Sequence, residues 1–203
     1  MKTETEKKFD KLIKEGFHEI LKPLGFKKKA NNFYLQREGL GQIINIQKST
    51  WYSKDHIHFT INTGLFLPEY WMGLIYNHGK EMPVFPGETQ CLIRKRIGAI
   101  RNQHDTWYDL NEKTDEDSLI MEMRANLTKY ILPYFESTKT KAAFLNMLDN
   151  EKLILAPLGK LITYAELKQF DKARSEYLKI LKEKSNPYFL ETVKEYGKKY
   201  GLG

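Results

Sequence analysis

Five histidines, one cysteine and twenty-six carboxylates are the groups in this sequence with metal-binding, nucleophilic or acid–base chemistry. His56 and His58 stand two apart in an alternating stretch, so on a strand they would face the same way, as two metal ligands must. A third ligand would have to come from His104 or Asp105. The same neighbourhood, His58, His104 and Asp105, is the one place where a hydrolase-like site can be drawn. No His-Glu-x-x-His motif is present, and two partly exposed histidines beside a hairpin turn explain the pair as well. The expectation is that they hold no metal. Asp105, Asp109 and Glu112 lie close together, but the acidic run Asp115 to Asp117 reads as a helix start, where acids favour the dipole. No phosphate-binding glycine loop, Gly-x-Ser-x-Gly elbow or dinucleotide fingerprint occurs. Cys91 is single, which excludes an intramolecular disulfide and a multi-cysteine zinc site, and it reads as a small buried hydrophobe. No catalytic residue, metal or cofactor is therefore assigned.

The elements that would position these groups follow from periodicity. Phe9, Leu12, Ile13, Phe17, Ile20, Leu21 and Leu24 recur every three or four residues, predicting a helix from Thr3 to Lys22 that Pro23 and Gly25 stop. The period then changes to two. Ile44 and Ile46 oppose Asn45, Gln47 and Ser49, while Ile57, Phe59, Ile61 and Leu65 oppose His56, His58, Thr60, Asn62 and Gly64. These are two strands of an antiparallel hairpin joined by Thr50 to Asp55, with a further strand over Phe26–Gln36 broken at Ala30–Asn32. The first helix should cover the Ile/Phe face.

Leu67 to Thr89 is dense in Pro and Gly and reads as a long loop with one helical turn, its aromatics Tyr70, Trp71, Tyr76 and Phe85 pinning it to the sheet or binding a partner. Cys91–Ile100 continues as strand or short helix, and Thr106–Leu110 is a last strand. Helices follow from Thr114 to Pro133, which should end the first, and then over about 140–148, 158–168, 171–183 and 187–200. Asp105 and Trp107 are expected to be structural, tying the sheet to this helical half, because cations precede Asp105 and an indole covers apolar surface well. The fold class is α+β, an N-terminal helix packed on an antiparallel sheet followed by short amphipathic helices. The expected division is 1–136 and a helical extension, 137–203.

The polar sheet face carries the candidate binding residues: Asn45, Gln47, His58, Thr60 and Asn62, with Trp51 and Tyr52 at the turn and Trp71 from the aromatic loop. Amides and aromatics there can hydrogen-bond and stack on a partner. The competing reading is that the helical half covers this face. The net charge of +7 is spread, with an excess of four in each of 1–30, 91–101 and 150–203 and a deficit of four in 102–149. Local clusters at Lys27–Lys29 and Arg94–Arg101 support nucleic-acid binding as the alternative to a protein partner. The charged start of the chain and the lack of about 18 consecutive apolar residues lead to the expectation of a cytoplasmic protein with no membrane partner.

Leu24-Gly25-Phe26-Lys27-Lys28 followed by Asn32-Phe33, then Ile44-Asn45-Ile46-Gln47-Lys48, Phe59-Thr60-Ile61-Asn62, Arg96-Ile97-Gly98 and Asp105-Thr106-Trp107-Tyr108 come in an order that resembles a bacterial family known as domain of unknown function 4304. The resemblance covers about 9–136 and implies no activity. Residues 157–187 resemble one tetratricopeptide-type hairpin through Tyr164, Phe170, Ala173 and Tyr177, with Pro187 near its terminal proline; Pro157, Lys160 and Leu161 depart from that repeat. One such unit cannot bury its own apolar face, so it should dock on the helices before it. The functional expectation is a non-catalytic protein that binds another macromolecule.

Overall fold

The computed structural model describes residues 1–151, 156–183 and 186–203. The first helix, Glu4–Lys11, starts in a capping box in which Thr3 Oγ1 accepts from Glu6 N–H and the Glu6 carboxylate accepts from Thr3 N–H. It runs on through a π-helical segment, Leu12–His18, and ends as α-helix at Glu19–Leu21. Gly16 in the π segment lets Met123 of a later helix approach to where an added Cβ would lie only 3.1 Å from its Cβ. Phe9, Leu12, Ile13, Phe17 and Leu21 are all buried.

Six strands form one antiparallel sheet: β1 Lys27–Lys29, β2 Asn32–Arg37, β3 Leu40–Lys48, β4 His56–Phe66, β5 Ile93–Arg96 and β6 Tyr108–Asn111. The order is β1-β2-β3-β4-β5, and β6 also pairs with β4. The long β4 carries β3 on one edge and β5 and β6 on the other, β5 against Asn62–Leu65 and β6 against His56–Phe59. One face, with Phe33, Ile44, Ile46, Ile57, Phe59, Ile61 and Leu65, is buried under the first helix, where Phe9 meets Phe59 edge-on at 5.5 Å and Phe17 stacks on Phe33 at 6.1 Å.

Pro133 does not end the middle helix. Glu116–Asn126 passes through a π turn, Leu127–Ile131, into Leu132–Ser137, so that the proline falls in the first turn of the renewed α-helix, where its missing N–H costs least. The later helices are Lys141–Asn150, Gly159–Glu166, Phe170–Lys182 and Pro187–Tyr200. Their buried side chains, among them Phe144, Leu161, Tyr164, Ala173 and Val193, belong to the same apolar cluster as the sheet. Lys184 and Ser185 of the expected helical hairpin lie outside the described residues. The last helix leans on the segment after β4: Tyr196 Oη accepts from Ile75 N–H at 2.9 Å, and Lys199 donates to the Gly73 carbonyl at 2.7 Å. That segment, expected as a loop with one turn, holds a short helix, Pro68–Gly73, and 3-10 turns at Ile75–Asn77 and Glu88–Gln90. No helix among the described residues is long and apolar enough to cross a membrane.

Candidate functional site

The second face of the sheet is divided. At one end Tyr34, Ile43 and Phe66 are buried with Trp71, Cys91 and Phe85 from the segment between β4 and β5. Gly64 permits this closure, since a Cβ there would stand 2.5 Å from Cys91 Sγ. Burial pushes the Cys91 thiol well above its ordinary pKa and leaves it protonated. Trp71, expected among the binding residues, is instead 5% exposed in this cluster. Its ring serves packing, because the helix from Pro68 turns it inward onto the sheet.

The other end is open and polar. Register aligns Asn32, Asn45, Asn62 and Arg96 in one row across four strands, with Lys29 of β1 opposite Asn32. The row is hydrogen-bonded in one direction. Arg96 Nε donates to Asn62 Oδ1 (3.3 Å), Asn62 Nδ2 to Asn45 Oδ1 (3.0 Å) and Asn45 Nδ2 to Asn32 Oδ1 (2.8 Å), and Asn62 Nδ2 also reaches Gln47 Oε1 (2.8 Å). Such chains of amides polarise one another and fix the side chains in place.

Beside the row stands a pile of rings. His58 stacks on Trp107 at 4.9 Å with planes 2° apart and on Tyr52 at 4.5 Å, and the Arg96 guanidinium lies 5.2 Å from the Trp107 ring centroid. The Trp107 indole N–H donates to Asp105 Oδ2 at 3.1 Å, and Arg96 pairs with the same carboxylate. A groove of about 480 Å³ lies along Gln47, Trp51, Tyr52, His58 and Trp107. Trp107 also borders a wider hollow of about 790 Å³ under the Asn102–Thr106 loop. That loop is held close by Gly98, whose added Cβ would sit 2.0 Å from the His104 carbonyl oxygen.

The carboxylate that serves the histidines is Asp109, directly opposite His58 on β6. Its Oδ1 lies 2.7 Å from His56 Nε2 and 3.0 Å from His58 Nδ1. Burial raises the Asp109 pKa, but the hydrogen bonds from the two imidazoles outweigh it and the carboxyl is held below its ordinary range. Among the described residues no three His, Cys, Asp or Glu side chains group as a metal site. The trio His58, His104 and Asp105 is not brought together: His58 is bonded to Asp109, Asp105 to Arg96 and Trp107, and His104 is exposed on the loop. Trp107 is half-buried against the polar face and does not tie the sheet to the helices. The tie is made one residue on, where Asn126 donates to Tyr108 Oη at 2.8 Å.

The Arg94–Arg101 cations are dispersed by strand alternation. Arg94 pairs with Glu88 and Arg96 with Asp105 on the polar face; Lys95 pairs with Glu151 on the opposite one, and Arg101 reaches Asn126 and Glu122 of the middle helix. Of the candidates named from sequence, Asn45, Gln47, His58 and Asn62 meet on the open half, with Trp51 at its rim, 92% exposed. Tyr52, named at the same turn, stacks on His58, and Thr60 is buried, donating to the Thr106 carbonyl at 2.7 Å; Asn32, Arg96, Trp107 and Asp109 complete the site and were not among those candidates. Asn32 was legible, because a two-residue turn at Glu38–Gly39, both with positive φ, pairs it with Asn45.

No curated protein and no solved structure matches the chain. Residues 17–137, which hold the whole sheet and all of the polar row and ring pile, match the model of the domain of unknown function DUF4304, and the chain belongs to that family.

Proposed function

We propose that this chain is a non-catalytic interaction protein that binds another protein through the open half of its sheet and the β3–β4 hairpin. The observation that carries this reading is the connected polar and aromatic network from Asn32 to Asp109, whose ends and ring pile stand at the surface while the other end of the same sheet face is packed under Trp71, Cys91 and Phe85. A fold does not need such a network at its surface. A binding face benefits from one, since side chains fixed beforehand lose little entropy on association. The hairpin Gln47-Lys48-Ser49-Thr50-Trp51-Tyr52-Ser53 has the composition of a protein-binding loop, with rigid aromatics for contact area and small polar residues for adaptable hydrogen bonds. The dispersal of Arg94–Arg101, each cation facing a carboxylate or amide, favours this reading over nucleic acid.

The test is to purify the full chain from its source cells with whatever protein it retains and to map amide hydrogen exchange in the complex. Protection should fall on residues 44–53 and 103–108. Protection confined to the C-terminal helices would sink the reading.

A further inference from the structure

We propose that the β3–β4 hairpin docks on an acidic protein surface, with Trp51 entering an apolar socket whose carboxylate rim meets Lys48, Lys54 and the neighbouring Lys28 and Lys29. The inference rests on the reading above that this end of the sheet binds a protein.

Trp51 is the most exposed aromatic side chain among the described residues, at 92%. It does not stand on a loose loop. Trp51 N–H donates to Ser49 Oγ at 3.3 Å, Tyr52 is stacked on His58 and edge-on to His56, and Thr3 and Thr5 of the first helix donate to the Lys54 and Asp55 carbonyls at 3.0 and 3.1 Å. A large apolar ring held out on a pinned hairpin has the character of a binding hot spot, where tryptophan is enriched and little ordering entropy remains to be lost.

Charge gives the partner its sign. Lys48 and Lys54 flank Trp51 in the hairpin, and the β1–β2 turn with Lys28 and Lys29 is held beside the end of β3 by Ile46 N–H donating to the Asn31 carbonyl. Among the described residues none of these four lysines has a carboxylate partner. Asp55 is the one acid in the hairpin. The carboxylates of the open face already have partners, Asp105 on Arg96 and Asp109 on the two imidazoles. An approaching acidic surface thus meets four exposed lysines without a carboxylate partner among the described residues, Lys48 with its Nζ 4.9 Å from the Phe9 ring centroid, and this charge steers association and selects against basic partners. A nucleic acid is also anionic, but binding platforms for single strands offer successive open ring faces. Here both faces of His58 are filled by Tyr52 and Trp107, and Arg96 covers Trp107.

The experiment places a photoreactive phenylalanine analogue at position 51, and separately at position 47, of the full chain in its source cells, and sequences the cross-linked segments. The expected result is a protein cross-linked from position 51 through a segment richer in Asp and Glu than in Lys and Arg. Its yield should fall by about tenfold or more in the Lys48→Glu, Lys54→Glu variant. That variant should melt within about 4 °C of the parent, since both lysines are exposed and the pair of changes removes only the approach of Lys48 Nζ to the Phe9 ring, 4.9 Å from its centroid. Cross-linking to a neutral or basic segment, to nucleic acid or to a second copy of this chain overturns the inference, as does a yield indifferent to charge reversal or retention of the chain on phosphatidylglycerol vesicles through Trp51. A protein cross-link from position 47 without one from position 51 leaves the face reading standing and removes this inference. No protein cross-link from either position removes both.

Discussion

Asn62 is the junction of the polar row, and Asn62→Ala should destabilise the protein by about 2 kcal/mol. The side chain is 5% exposed and makes three bonds: to Asn45 Oδ1, to Gln47 Oε1 and from Arg96 Nε. A buried hydrogen bond contributes about 1 kcal/mol net, and somewhat more when one partner is charged. Gln47 is exposed, so its oxygen turns to water and its share is returned. Asn45 and Arg96 are half-buried, so the two bonds to them, at roughly 1 kcal/mol each, set the estimate. In a chain of this length the melting temperature should drop by about 4–8 °C. Urea unfolding followed by circular dichroism should show a lower midpoint at unchanged slope, which marks a change in stability and not in the surface exposed. Gln47→Ala should stay within about 0.5 kcal/mol of the parent, as an exposed substitution does. The Asn45→Ala, Asn62→Ala pair should be less destabilised than the sum of its singles, because they share one bond. If Asn62→Ala unfolds within about 0.5 kcal/mol of the parent, the row carries no stability and the argument for a fixed binding face fails.

Trp107→Ala should cost about 2 kcal/mol, from the stack on His58, the Arg96 contact and the indole bond to Asp105, well short of the roughly 3–5 kcal/mol lost from a fully packed aromatic site. Thermal melts of Trp107→Ala and of the milder Asp105→Asn check this, and collapse of the fold in Trp107→Ala would contradict it. Burial, with smaller contributions from Tyr76 and Tyr196, raises the Tyr70 hydroxyl to about 12, so the folded chain keeps a proton that the unfolded chain loses near 10. This stability is whole below pH 10 and is lost as pH rises toward 12, up to about 3 kcal/mol. Urea midpoints measured over that range should fall less steeply for Tyr70→Phe, and identical slopes would refute the assignment.

The sequence determined the local elements and the sign of each face. The period-2 alternation of Ile44 and Ile46 against Asn45 and Gln47 is a property of neighbouring residues, and it placed the amides on one face before any tertiary contact was known. The same holds for the first helix, whose stripe from Phe9 to Leu21 is buried as its spacing requires. The motif order in 24–108 likewise marked the family. Three things lay beyond it. Pro133 stayed helical because a π turn, set by packing around Leu127 and Ile131, moved it to a helix start. Trp71 was drawn to the core and Trp107 to the surface although both are equally apolar in sequence, since which half of the sheet the 67–92 segment covers depends on where β5 pairs with β4. Finally, Arg96 joins Asn62 across 34 residues of chain and Asp109 joins His58 across 51, pairings that only the three-way use of β4 by β3, β5 and β6 brings about. Alternation tells a residue which face it occupies; what stands beside it on that face is decided by strand order, and strand order is set by the packing of the whole chain.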